Sequence, residues 1–336
     1  QRCPKGTEDV IAFILRRLLS MIPLLFLVSV ITFVIIQLPP GDFFDTMQAE
    51  IASNGGSQDA QMFQVLRMRY GLDQPLYVQY LRWIQGWTEG DFGWSMAWNA
   101  PVLPLVMNRL AYTLILGSFA LLITVTYAIP VGVYSATHQY SLGDNATSLI
   151  GFLGLSLPGF LMALFWMFLG ALVLRIDVGG VMSSEFSTAP MGWEKLLDMW
   201  AHFWPPALIL ALASTAQMQR IMRSSMLDVM GQQFITTARA KGLRERTVTT
   251  RYGVRVAINP MISVLALEVP KLISESALVG IVMSLPTLGP LFLRSLQTQD
   301  MYLAGTMLLF MSLLLMISNL FADIALAWAD PRIVYE

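Results

Sequence analysis

The sequence predicts an all-α polytopic membrane protein with six transmembrane helices, and three observations carry that prediction. The 336-residue chain is 55% hydrophobic and 13% charged, with a mean hydropathy of +0.60, far more apolar than a soluble domain of its length. Its apolar residues gather into stretches free of Asp, Glu, Lys, Arg and His, of the roughly 20 residues that cross a hydrocarbon core about 30 Å thick. Its basic residues also divide unevenly between alternate connecting segments.

Residues 1–13 read as a cytoplasmic tail, in which Cys3 lacks the apolar run before it that a lipoprotein signal needs. The first span lies within 14–38, with Leu18 to Leu38 free of charge and Pro39, Pro40 and Gly41 closing it. Residues 39–109 are too polar for membrane and form an extracytoplasmic loop region with its own organisation. Within it Ser53 to Gln58 reads as a flexible turn. Gln74 to Thr88 then places Leu76, Tyr80, Trp83, Ile84 and Trp87 near one another at helical spacing. Such a helix suits the membrane interface, where Trp and Tyr collect, or contact with an extracytoplasmic partner.

The transmembrane core occupies 110–322. Leu110 to Thr137, Ala146 to Leu174, Phe203 to Gln219 and Met301 to Ala322 are charge-free. Ile258 to Leu293 is apolar overall but holds Glu268, Lys271 and Glu275, and is long enough for a helix, a Gly/Pro break and a partial re-entry. Residues 323–336 form a second cytoplasmic tail. With the N-terminus inside, the cytoplasmic segments carry thirteen basic residues: Arg2, Lys5, Arg16, Arg17, Arg220, Arg223, Arg239, Lys241, Arg244, Arg246, Arg251, Arg255 and Arg332. The opposite side carries seven: Arg67, Arg69, Arg82, Arg109, Arg175, Lys195 and Arg294. Lys and Arg accumulate on the cytoplasmic side, so both termini are placed inside.

Several function classes drop out. A net charge of -1 offers no basic field for nucleic acid. One cysteine and two histidines, His138 and His202, make a poor zinc set, and no metal site is expected. The chain has no GxxxxGK[ST], so it carries no phosphate loop for ATP, and no HExxH. Gly154 to Gly159 misses the GxSxG nucleophile turn, and no catalytic residue is proposed. Neither an internal repeat nor the inverted halves of many secondary transporters is apparent.

The informative segment is 220–259, where a small-residue helix sits in a dense basic region. Its centre is Phe234 to Leu243, where a helix ending at Gly242 in the left-handed conformation presents small Thr237, Ala238 and Ala240 for close approach by another surface. The same composition fits a plain cytoplasmic hairpin whose charges only satisfy orientation. In the polar span, Glu268, Lys271 and Glu275 lie at offsets of three and four, so one helix face holds all three and Lys271 is within reach of either carboxylate. Ionised groups at membrane depth face a bundle interior or a water-filled path. A buried ion-pair cluster and a lining of the translocation path fit equally.

Motifs spread over almost the whole chain resemble one family. They are Ile14-Leu15-Arg16-Arg17-Leu18 before the first span, Pro40-Gly41-Asp42 after it, Gly71 to Leu76, Gln79 to Trp83, Gly90 to Ser95, Thr237 to Leu243, and Asp330-Pro331-Arg332. In this order they resemble the permeases of ABC importers of the dipeptide/oligopeptide/nickel group. The resemblance implies a type I ABC importer permease fold, in the inner membrane of a prokaryote. It also implies a homologous second permease, two cytoplasmic ATPase subunits that bind ATP and Mg, and an extracytoplasmic solute-binding protein. Residues 236–243 then form the coupling helix seated in a groove of the ATPase. Thr236 stands where the general motif has Glu, Thr237 and Ala238 where it has two alanines, and Gly242 where it has its glycine, followed by Leu243. The missing carboxylate leaves Arg239 and Lys241, either side of Ala240, as the polar contacts.

A second departure lies at Gly280 to Gly289, where the group has Glu, Phe and P-G-L-G; none of the Glu, the Phe or the glycine after proline is present. It places the chain in a divergent branch. Peptides are the leading substrate class, with oligosaccharides, opine-like compounds and nickel as alternatives. The competing class is a secondary transporter or channel with the polar span as its ion path.

Overall fold

The computed structural model describes residues 7–38, 40–53, 60–176, 178–186, 189–190 and 192–329. Cys3, the expected turn beyond Ser53 and Asp330-Pro331-Arg332 lie outside the described residues. Thirteen α-helices and one two-stranded hairpin are formed among them. Five helices are long and apolar enough to span a membrane, and the number is six if a bent pair, residues 142–174, is counted as one span.

The chain divides into two compact units. The first comprises 113–286 with the segments 1–14 and 317–336; the second comprises 15–112 and 287–316. The long helices α1 (Thr7–Gln37), α5 (Val102–Thr137) and α13 (Met301–Ala329) each contribute to both.

In the second unit, α1 (Thr7–Gln37) begins inside the segment read as a tail. After it come α2 (Phe43–Ser53), α3 (Ala60–Tyr70) and α4 (Leu76–Glu89), then β1 (Trp94–Ser95) paired antiparallel with β2 (Ala100–Pro101). The helix expected over 74–88 is α4, but its aromatic face has a different role from either expectation. Tyr80, Trp83, Ile84 and Trp87 pack on Phe33 of α1 and on Met301 and Leu309 of α13, and the Ser29 and Tyr80 hydroxyls are hydrogen-bonded at 2.8 Å. The chain's own helices fill this face, because large aromatic rings gain most by complete burial. Gly305 makes this possible: a Cβ there would come within 2.8 Å of the Trp83 ring. Leu76, expected on the same face, is instead exposed along with Tyr77 and Leu81.

The Gly90 to Ser95 motif builds the joint beside it. Gly90 caps α4 in the left-handed conformation, and the Asp91 carboxylate accepts the Gly93 N–H at 2.9 Å. Ser95 donates to Asp300 at 2.6 Å. Asp300 also accepts the N–H groups of Ala97 and Leu303, so one fully buried carboxylate caps α13 and pins the hairpin. Burial pushes this carboxyl above its ordinary range against the pull of those hydrogen bonds.

In the first unit, α6 (Leu142–Ser156) and α7 (Gly159–Phe168), the latter prolonged by a π-turn over Leu169–Leu174, lie where one span is expected over Ala146 to Leu174. The two halves meet at 101°. Pro158 forces the break, since its ring disfavours helical backbone in the residue before it; Leu157 is extended, with φ -103° and ψ 125°. The unit continues with α8 (Trp193–Met230), α9 (Gln233–Ala240), α10 (Glu245–Thr247), a π-helical stretch over Val248–Val254 and α11 (Arg255–Val282). Helix α8 packs on α6 and α11, and α7 packs on α11. Helix α11 carries Pro260 and Pro270 without ending, which membrane helices tolerate when neighbours satisfy the freed carbonyls. The break expected after it occurs at 283–287, with Ser284 at φ 53°, before α12 (Leu288–Gln297) of the second unit.

Candidate functional site: an exposed helix on a methionine-rich base

Helix α8 continues past its apolar stretch to Met230, and α9 follows two residues later. Gly242, at φ +74°, closes α9 as the sequence predicts. Its N–H donates to the Arg239 carbonyl at 2.9 Å, and the Leu243 N–H reaches the Ala238 carbonyl. These bonds satisfy carbonyls that the helix end would otherwise leave unpaired.

The two faces of α9 differ sharply. Ile235 and Ala238, three apart, are buried in a cluster with Met218, Met222 and Met226 of α8, Val248, and Ala257 and Met261 of α11. Ala238, expected to offer itself to another surface, is therefore packed against its own chain, because the i, i+3 stripe of an amphipathic helix seeks the available core. Thr236, Thr237, Arg239, Ala240, Lys241, Gly242 and Leu243 remain exposed, with Phe234 beside them. Arg239 is not free to point outward without cost. Its Nε and Nη2 donate to both oxygens of Glu245, at 3.1 and 2.7 Å, bracing α9 against the start of α10. At a fully solvated surface this pair sets geometry more than stability.

Deeper in the unit, Glu268 is 3% exposed. The Ser214 hydroxyl of α8 donates to its Oε2 at 2.5 Å, and Lys271 Nζ lies 3.5 Å from the same oxygen. Glu275 is half-buried one turn on, and no ion pair joins it to Lys271 among the described residues. Lys271 has thus chosen Glu268 of its two possible partners. Ser214 was not legible as a partner, since an isolated serine in a Leu/Ala-rich span gives no signal of what faces it.

Lys271→Met is expected to lower the stability of the assembled protein by about 1–2 kcal/mol, less than a fully buried pair because the lysine is partly solvated. Glu268→Gln with Lys271→Met and Glu275→Gln should cost less, since no buried charge is left unpaired. Thermal unfolding of the purified complex compares the two. A triple variant that assembles normally but imports poorly would identify the face as path lining; unchanged stability and import in both variants would exclude both roles.

Two further residues escaped the sequence reading. The Asp144 carboxylate of α6 is gripped by Arg223 of α8, Nε to Oδ1 at 3.1 Å and Nη2 to Oδ2 at 3.0 Å. A signal for Asp144 was present: Ser141-x-x-Asp144 is a helix-start pattern, and Ser141 Oγ accepts the Asp144 N–H at 3.2 Å. Arg223 could not be singled out within a basic stretch. Among the described residues no cluster of three or more His, Cys, Asp or Glu could hold a metal ion.

Long apolar helices of membrane-spanning length, with a short exposed helix on a buried base, define an integral membrane protein. The chain belongs to the family of binding-protein-dependent transport system inner membrane components: residues 128–335 match the family's main profile and residues 10–117 that of its N-terminal part. It is 36% identical to the oligopeptide transport system permease protein AppB of Bacillus subtilis (strain 168), over 96% of this chain and 99% of that one. It is 32% identical to the glutathione transport system permease protein GsiC of Escherichia coli (strain K12), over 96% and 99%. A chain of the MetNI methionine ABC transporter, solved in inward facing conformations, is similar at a TM-score of 0.47 and 16% identity, over 68% of this chain and 96% of that one. The protein is a mostly helical, multi-pass inner-membrane permease of an ABC importer, a transport subunit that works with other ABC subunits.

Proposed function

We propose that this chain forms half of the membrane pathway of an ATP-driven peptide importer. The observation that supports the substrate class is its likeness, over almost its full length, to permeases named for oligopeptide and for glutathione transport, both peptide solutes. A homologous second permease completes the membrane body, and an extracytoplasmic binding protein delivers the solute. Two cytoplasmic ATPase subunits hold ATP and Mg; this chain binds neither.

In this reading the exposed face of α9 is the coupling surface, with Phe234 and Leu243 as apolar contacts around Thr236, Thr237, Ala240 and Lys241. Closure of the ATPase pair displaces α9. Because Ile235 and Ala238 are embedded among the methionines of α8, that displacement passes into the membrane helices. Unbranched methionines repack at low cost, which suits a core that must move. Deleting this chain from cells that depend on its importer should abolish uptake of radiolabelled trialanine, with unlabelled glutathione as competitor. Unchanged uptake would turn the substrate toward an oligosaccharide, an opine-like compound or nickel.

The same reading places both termini and α9 in the cytoplasm. Cys3 is the sole cysteine, so Cys3→Ser provides a clean background for labelling. A membrane-impermeant thiol reagent added to intact spheroplasts should modify Tyr77→Cys, whose parent side chain is 69% exposed, and should reach Arg244→Cys only after lysis. Modification of both from one side would overturn the topology.

A further inference from the structure

Arg223 and Asp144 are 79 positions apart in the chain, yet they form the forked pair described above. Arg223 lies about two turns before α8 gives way to α9, and Asp144 lies in the first turn of α6. The carboxylate is 3% exposed and also accepts the Tyr140 N–H at 3.0 Å. Tyr140 adopts φ 61°, an uncommon conformation for a bulky residue, which this bond holds in place. One carboxylate thus fixes the turn between α5 and α6, the start of α6 and the lower part of α8.

Further along, small residues bring α6 and α8 together: Gly151 faces Ala216, and Gly154 sits against Leu212. A bidentate guanidinium–carboxylate pair fixes their register further, because both hydrogen bonds fail once it changes. Buried ion pairs commonly add little net stability compared with apolar packing, so the natural use of this one is to set geometry.

We propose that Arg223 and Asp144 are a latch that makes α6 move with α8 and α9 as one body, so that displacement of α9 reaches the bent pair α6–α7 and, through α7, the polar helix α11. Neither residue need touch solute or nucleotide; both are positioning residues. The proposal rests on the reading of α9 as the coupling helix.

The test uses the complete transporter in nanodiscs, with Cys3→Ser and spin labels at Leu149→Cys on α6 and Asp228→Cys on α8, both exposed positions. Distances are measured without nucleotide and after trapping with ATP, Mg and vanadate. With the latch intact, the distance should stay single and unchanged on trapping. With Asp144→Asn and Arg223→Gln together, no buried charge is left unpaired. The melting temperature and resting distance should therefore stay near those of the parent, while the trapped distance shifts or broadens. Arg223→Lys, which keeps the charge and loses the fork, should show the same uncoupling if the double variant fails to assemble. A merely stabilising pair would lower the melting temperature without a change confined to the trapped state. Equal trapped distances in parent and variants would overturn the latch. Retention of the ATPase subunits together with normal uptake by Gly242→Trp would instead overturn the coupling reading beneath it.

Discussion

Gly242→Trp is expected to abolish ATP-driven import and to release the ATPase subunits, while the chain remains folded and inserted. A Cβ at Gly242 meets nothing within 4 Å, so this chain itself has room for the indole. The internal cost is the left-handed backbone, about 1–2 kcal/mol for a residue with a side chain, confined to a turn at the protein surface. In the proposed reading of α9 as the coupling helix, that open space is where the ATPase docks. A bulky group there should cost at least ~2 kcal/mol of docking free energy, on the order of a thirtyfold loss of affinity. Gly242→Ala carries the backbone cost without the bulk and should keep most import. The measurements are co-purification of the ATPase subunits and uptake into vesicles. A tryptophan variant with its ATPases bound and normal uptake would show that α9 is not the coupling helix.

Asp300→Ala should be the most damaging single change in the second unit, lowering stability by about 3–5 kcal/mol. It removes in one step the acceptor for the Ser95 hydroxyl and for the N–H groups of Ala97 and Leu303. The Ser95 hydroxyl and the Leu303 N–H, both on fully buried residues, are then left without this acceptor. Asp300→Asn retains an acceptor oxygen and should lose less than half as much. The pH dependence separates charge from hydrogen bonding. Because burial raises the carboxyl in the folded protein, the folded state binds this proton more readily than the unfolded one. Stability relative to Asp300→Asn should therefore rise as pH falls through the raised value, and level off below the ordinary 3.8. Thermal unfolding of the parent and both variants across that range is the measurement. A cost below 1 kcal/mol for the alanine variant would mean that water replaces the carboxylate.

Reading the membrane helices required little beyond the sequence, because a bilayer imposes one constraint on every span. Backbone groups must be satisfied internally, so any apolar run of sufficient length becomes a helix. Leu110 to Thr137 and Met301 to Ala322 lie inside α5 and α13 for that reason. Ala146 to Leu174 passed the same test of length but is bent at Leu157-Pro158; a length count gives proline no weight, and Pro260 and Pro270 stand inside α11 without ending it. The small-residue helix ending at Gly242 was equally local: glycine is the residue for a left-handed cap, and the cap appears where it stands.

The direction of each face was not local. Nothing in Phe234 to Leu243 by itself says that Ala238 turns inward and Ala240 outward; the methionines of α8 decide it, through a core assembled from α5, α8, α9 and α11. Helix α4 shows the same limit. Its aromatic stripe was plain, but whether lipid, a partner or the chain's own α1 and α13 would cover it depended on residues such as Phe33 and Leu309. The sequence by itself determined the membrane class, the family, the spans and the closing turn of α9, since these follow from hydropathy, motif order and the conformational freedom of single residues. Only the tertiary structure decided that Lys271 takes Glu268, that Asp300 holds Ser95 and that Arg223 grips Asp144. A charged or polar side chain records its need for a partner, whereas the identity of that partner is set by which helices the fold brings within hydrogen-bonding distance.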